Sequence, residues 1–238
     1  MKNQIEYKVY GRFALFTDPA TKIGGEKFSY HIPTYEALKG VTKSIFWKPT
    51  FIWHIDRVRV MKVIRTQSKS VKPRWYAPKK LDVQNDLAIY TYLADVEYQV
   101  QAHFEWNTFR DDLAKDRIDG KHFSIAKRMV DKGGRQDIFL GTRECQSYVE
   151  PCEFGAGEGA YDNAGELAFA TMFHSFDYPD ETGENELYTN HWQPVMKNGI
   201  IEFPRPEDCK VKRFVREMIP NPPASIGLNE EALQNELA

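Results

Sequence analysis

YTYLADVEYQVQAHFE, residues 90–105, alternates more regularly than any other stretch of the chain. Tyr90, Tyr92, Ala94, Val96, Tyr98, Val100, Ala102 and Phe104 share one parity; Thr91, Leu93, Asp95, Glu97, Gln99, Gln101, His103 and Glu105 share the other. A period of two with one apolar side predicts one long strand, half buried. Just upstream, residues 50–65 are β-branched and aromatic and predict extended chain, with a parity slip near Asp56 that calls for a bulge or turn. Residues 66–88 between them have the look of a loop or hairpin tip. Further upstream, Ile5, Tyr7 and Val9 alternate with Glu6, Lys8 and Tyr10 in a first strand. Thr34 is placed to cap a helix over 35–45 whose Ala37, Leu38, Val41 and Ile45 share a face, and Pro49 closes it. Downstream, a charged loop (110–121) leads to a short amphipathic helix over 122–130, ended by Gly133-Gly134, and residues 138–154 return to strand composition.

The resulting order, β, α, β, β, α, β, is the split βαβ of a ferredoxin-like α+β domain, the architecture also used by the RNA-recognition motif, here with a β-hairpin extension. Three units are expected: a ferredoxin-like domain over 1–154, a small antiparallel β domain over 155–219, and a Pro-rich exit and tail over 220–238. Gly155-Ala156-Gly157-Glu158-Gly159 lacks the Gly-Lys-Ser/Thr ending of a phosphate loop and is expected to be a connector.

With 238 residues, 42% of them hydrophobic, and a net charge of −2, the chain has the composition of an ordinary globular protein. The first residues lack the apolar run of a signal peptide, and no stretch approaches the roughly 18 apolar residues that span a bilayer, so a cytoplasmic protein without membrane contact is expected. Cys145, Cys152 and Cys209 have no Cys-x-x-Cys spacing and are expected to be reduced packing thiols.

The near-neutral total hides a division. Residues 1–135 carry 25 Lys plus Arg against 15 Asp plus Glu, and the remainder 7 against 19. Residues 57–80 hold nine basic residues (Arg57, Arg59, Lys62, Arg65, Lys69, Lys72, Arg74, Lys79, Lys80) and no acidic one. A one-sign run of this length, with Trp75-Tyr76 beside Arg74 as stacking surfaces, points to a nucleic acid more than to a small anion.

The chemistry within reach is limited. Six scattered histidines include no His-x-x-x-His pair, so no metal and no cofactor is expected, and no Gly-x-Ser-x-Gly turn supports a serine nucleophile. RNA cleavage without a metal needs less, because the 2′-hydroxyl attacks its own phosphate and the protein only moves protons and balances charge. Gly120-Lys121-His122 supplies a Lys and a His at a helix start in the basic half, where both are expected to reach one ligand.

Ala14–Pro19, Tyr35–Gly40, Ile45–Pro49, Ile138–Cys145 and Pro204–Cys209 closely resemble blocks of the fifth CRISPR-associated protein family in its subtype I-C (Dvulg) form. The resemblance covers most of the chain. It implies a RAMP-type ferredoxin-like domain followed by a small antiparallel β domain, cleavage of CRISPR repeat stem-loops into guide RNAs without a metal, and a place beside other subunits of a type I-C interference complex. It also implies a catalytic set made of a Tyr near the end of the first helix and a Lys-His pair. The pair falls on Lys121 and His122, and the Tyr position falls on Phe46, which has no hydroxyl and can stack on an RNA base or shape the pocket but cannot move a proton. Either His122 works with less help or another group replaces the Tyr; Tyr76, Tyr30 and His31 are the candidates. Two rivals stand beside the ribonuclease: an RNA-binding subunit without catalysis, and a metal-dependent DNA nuclease.

Overall fold

The computed structural model describes residues 2–24, 26–72 and 87–220. Its strands are β1 (Gln4–Ala14), β2 (Lys27–Phe28), β3 (Phe51–Val60), β4 (Thr66–Val71), β5 (Ala88–Trp106), β6 (Ile138–Phe139), β7 (Gln146–Pro151), β8 (Glu166–Ala168), β9 (Met172–Asp177), β10 (Glu186–Trp192), β11 (Val195–Lys197), β12 (Ile200–Glu202) and β13 (Val211–Glu217). The α-helices are α1 (Tyr35–Ile45), α2 (Lys121–Asp131) and the single turn α3 (Pro179–Thr182). The architecture is mixed α and β, mostly antiparallel sheet with few helices. No helix among the described residues is long and apolar enough to cross a membrane.

β5 forms as its alternation dictates and is the axis of the main sheet. It pairs antiparallel with β1 on one edge and β3 on the other, and the sheet runs β6-β7-β1-β5-β3-β12-β11-β8. The parity slip expected at Asp56 is a register shift between Ile55 and Arg57, which returns the apolar residues of β3 to the core side after the bulge. Within residues 66–88, expected to be a loop or hairpin tip, Thr66–Val71 is the strand β4, antiparallel to the first part of β5 as a hairpin extension requires. Its sequence, TQSKSV, is too polar to show a buried face, because it lies where β5 overhangs the core.

Strands from 155–219 divide between two sheets. β12, β11 and β8 continue the main sheet beyond β3, whereas β13, β10 and β9 form a separate three-stranded sheet.

Tyr7, Val9, Trp53, Val58, Val100, Ala102 and Phe104 make the buried face of the main sheet, against Leu38, Val41 and Ile45 of α1 and Ala126 and Val130 of α2. Thr34 caps α1, its hydroxyl accepting from the Ala37 amide at 3.1 Å, which contributes about 1 kcal/mol. Tyr7 and Thr42 share a buried hydroxyl bond of 2.7 Å that ties α1 to β1. In the Ile138–Cys145 block, Gly141 has φ +93°, and a Cβ there would lie 2.0 Å from the Leu15 carbonyl oxygen, so only glycine permits this crossing.

Lys39 is the unexpected core residue. It lies on α1 with only 2% of its surface exposed and binds Glu181 of α3, which also accepts from Lys43 at 2.9 Å. Burial pushes the Glu181 carboxyl up, and the two lysines more than reverse this, holding it below its ordinary range. Lys39→Met should lower the unfolding free energy by about 3 kcal/mol in urea titration, because a buried carboxylate loses a partner; Lys43, which stays, keeps the loss at the low end. Combining it with Glu181→Gln should recover part of the loss.

Candidate functional site

Four element ends meet at one corner of the sheet: the end of α1 (Phe46), the loop into β3 (Thr50, Phe51), the end of β5 (Trp106) and the start of α2 (Lys121, His122). Gly120 precedes α2 at φ +73°, the left-handed conformation that turns the chain from the charged loop into the helix. Within that loop a 3-10 turn, Asp111–Asp116, delivers Asp116 to the centre of the group.

Asp116 binds every polar member. Its carboxylate accepts from Lys121 Nζ at 2.5 Å and from Thr50 Oγ1 at 2.8 Å, and lies 3.3 Å from His122 Nε2. Its backbone carbonyl accepts from His122 Nε2 at 2.8 Å. Burial raises the Asp116 carboxyl, but the bonds from Lys121 and Thr50 prevail and hold it below the usual carboxylate range. Because Nε2 donates to a carbonyl, a neutral His122 carries its proton there and keeps a lone pair on Nδ1. Nδ1 is buried and has no hydrogen-bond partner among the described residues.

The His122 ring is enclosed by aromatics: Phe51 at 5.3 Å between ring centroids, Trp106 at 5.7 Å and Phe46, stacked, at 6.1 Å. None of its surface is exposed. The expectation that Lys121 and His122 both reach outward toward one ligand is therefore corrected: both turn to Asp116, because an aromatic wall and an acidic turn surround the helix start. Lys121 alone of the pair is exposed. Phe46, Lys121 and His122 are brought together; Tyr30 and His31 are not. Those two precede α1, whose 11 residues carry the chain about 16 Å along its axis before Phe46. Tyr30 instead meets the Phe173 amide, and its hydroxyl is raised by burial; His31 sits edge-on to Phe28. Tyr76 lies outside the described residues.

The described part of the basic run does not form one surface. Arg74, Trp75, Lys79 and Lys80 lie outside the described residues. Arg57 and Arg59 share the face of Gln99 and Gln101, whereas Lys69 sits 3.3 Å above the Phe13 ring and 5.7 Å from that of Tyr92, on the opposite face. Arg59 was expected to bind RNA and is corrected to an internal anchor. It is buried, its Nη2 donates to both Asp162 oxygens at 2.7 and 2.8 Å, and it binds the Ala156 and Gly157 carbonyls. The Gly-rich connector is thus wrapped around a guanidinium. Arg57 donates to Gln101 at 2.8 Å and stacks on Phe154 at 4.4 Å. Lys62 pairs with Asp95 at 2.7 Å. Arg65 and Lys72 are exposed, with no ion pair among the described residues.

A second polar cluster lies on the same face as Arg57. His103 Nδ1 is 2.7 Å from Asp56, Arg205 bridges His103 and Glu105, and His54 stacks on His103. The Asp56 bond raises His103, whereas burial and then Arg205 push His54 down to about 3. These contacts pin the Pro204–Cys209 block to the sheet. Among the described residues no group of three or more His, Cys, Asp or Glu side chains is placed to hold a metal ion.

The family model for CRISPR-associated protein (Cas_Cas5), in its Cas5d form, matches residues 4–204. The chain belongs to the Cas5d family. Two solved structures resemble it, each with a TM-score of 0.72 over 88% of this chain and 96% of the other: a CRISPR-associated protein, 33% identical, and a functionally uncharacterized protein from Streptococcus mutans, 37% identical. A CRISPR pre-crRNA endoribonuclease Cas5d from Mannheimia succiniciproducens is 26% identical over 90% of this chain and 100% of its own length. Its counterpart from Thermus thermophilus is 26% identical over 77% and 78%.

Asp116, Thr50, Phe51 and Trp106 are the members of the cluster that sequence reading missed. The one available signal was an Asp shortly before a Lys-His pair in the same charged loop; the aromatics come from strands whose convergence a linear pattern does not show. Replacing Arg59 by Met should lower stability and expose residues 154–162 to limited proteolysis while changing the salt dependence of RNA binding little. A large loss of RNA affinity with the protease pattern unchanged would contradict its role as an anchor.

Proposed function

We propose that this Cas5d protein is a CRISPR-associated endoribonuclease that binds and cuts the repeat stem-loops of precursor CRISPR RNA, and a subunit of the interference complex of its system. What supports this reading above all is the placement of Lys121 and His122 at one helix start, with His122 stacked on Phe46, the position where the resemblance puts a Tyr, in a chain similar over 90% of its length to a pre-crRNA endoribonuclease. The strand order β7-β1-β5-β3, with α1 and α2 on one face, supports the ferredoxin-like reading of residues 1–154. We take that part as the RNA-holding unit, the acidic 155–219 segment as the side toward neighbouring subunits, and the cytoplasm as the place of action; the expected tail lies, but for Pro220, outside the described residues.

In the proposed mechanism the 2′-hydroxyl at the cut site attacks the adjacent phosphate, and a 2′,3′-cyclic phosphate and a free 5′-hydroxyl result. His122 carries the proton and Lys121 steadies the phosphate charge; no metal enters. Phe46 keeps the imidazole in place by stacking and transfers no proton. For His122 to meet RNA, the Asp111–Asp116 turn must lift. A phosphate offers Lys121 the same charge that Asp116 offers, so incoming RNA competes directly for the contact holding the turn down. Tyr76 is retained as the group that completes proton transfer, and Arg65 and Lys72 as backbone contacts. A second reading, RNA binding without catalysis, is favoured by the enclosure of His122 and by the missing hydroxyl at Phe46.

Purified protein should cut its cognate repeat RNA in EDTA and fail on a substrate lacking the 2′-oxygen at the cut site. His122→Ala and the bulkier His122→Gln should each slow cleavage by about 100-fold or more with RNA affinity nearly unchanged. A gel shift without product would establish the binding subunit instead, and cleavage restored only by Mg²⁺ would establish a metal nuclease. Arg65→Ala and Lys72→Ala should each flatten the slope of log affinity against log salt by about 0.7 if each contacts one phosphate of single-stranded RNA.

A further inference from the structure

The Ile45–Pro49 block contains a second aromatic that the catalytic reading leaves unused. Phe46 ends α1 in extended conformation, φ −162° and ψ 129°, so its side chain and that of Trp47 leave the backbone in opposite directions. Phe46 is sent inward onto His122, with 2% of its surface exposed, and Trp47 outward, with 40% exposed. Trp47 stands on a cavity of about 310 Å³ whose apolar walls include Pro49, Phe51 and Ile52 and whose charged lining sets Lys43 and Arg110 beside Glu36, Asp180 and Glu181.

This cavity and the His122 cluster share a wall. Thr50 in the loop between Trp47 and Phe51 donates to Asp116 and accepts, through its carbonyl, from the Asn107 amide at 2.9 Å. Phe51 lines the cavity and also faces the His122 ring at 5.3 Å. A ligand seated on Trp47 is therefore one side chain away from the proposed point of cleavage.

We propose that Trp47 and this cavity seat one unpaired nucleobase of the bound RNA, next to the scissile phosphate, and so set where the backbone is cut. The inference rests on the reading of the chain as an RNA-binding protein. A flat, exposed indole beside an apolar slot matches the face of a base. The rim is not a bare cationic patch: Lys43 is held by Glu181, Arg110 by Asp112 at 2.6 and 2.8 Å, and the Asn107 amide nitrogen donates to the Asp180 carbonyl at 2.8 Å. With these polar groups already engaged, stacking dominates over base-edge hydrogen bonding, and the subsite tolerates more than one base.

Repeat RNAs carrying a single abasic nucleotide at each unpaired position around the cut are measured for affinity to wild type, Trp47→Ala and Trp47→Phe. One abasic position should weaken wild-type binding by about 10-fold, add no penalty in Trp47→Ala, and keep most of its penalty in Trp47→Phe. Thermal melting checks that the variants fold. If abasic penalties are the same in wild type and Trp47→Ala at every position, or if Trp47→Ala binds as wild type does, the subsite is overturned. Because the readout is affinity, a protein that shows the penalty but does not cut refutes cleavage, and with it the setting of the cut, and keeps the base-binding subsite. One that cuts without the penalty does the reverse, and one that binds no RNA refutes both.

Discussion

β5 is paired along both edges, and most of the molecule is positioned by that fact. Its 19 residues hold β1 from one side and β3 from the other, with β4 along the overhanging start. A strand hydrogen-bonded on both sides cannot slip by one residue without moving Val100, Ala102 and Phe104 out of the core and Gln99, Gln101 and His103 into it. The register fixed in this way also places Trp106 beside the start of α2 and Gln99 beneath the Gly-rich connector.

The candidate site is made from ends of elements, not from their middles. α1 stops at Phe46, β5 at Trp106, and α2 begins at Lys121, and at each end the regular hydrogen-bond ladder gives out. Asp116 joins these ends by accepting from Lys121, Thr50 and His122, and so connects the acidic turn to the helix start. The same acid that organises the cluster also occupies the cation an RNA phosphate would use. Organisation and access are thus opposed at one carboxylate, while Phe46, Phe51 and Trp106 enclose the His122 ring.

The charge asymmetry of the chain has a different meaning in three dimensions from its meaning in one. Arg59 and Lys39 look alike in the sequence, each a cation in a solvent-accessible pattern. One is the hub of the 156–162 connector and the other a buried tie between α1 and α3, each matched to a carboxylate more than 100 residues away. A count of cations cannot show this, since pairing depends on where distant acids return. Arg65 and Lys72, with no ion pair among the described residues, keep the exposed character that the run as a whole was expected to have.

Local pattern alone determined the long alternating strand, the capped helix over 35–45, the bulge at Asp56, the helix after Lys121 and, through its distinctive blocks, the family. Each rests on neighbours within a few residues, where backbone periodicity, capping and turn chemistry act. Tertiary structure alone decided that Phe46 lies on His122, that Asp116 holds the Lys-His pair, that the C-terminal strands divide between two sheets and that the described part of the basic run is split across two faces. Those outcomes depend on which distant segments pack together, and side-chain contact is a property of that packing, which no local periodicity encodes.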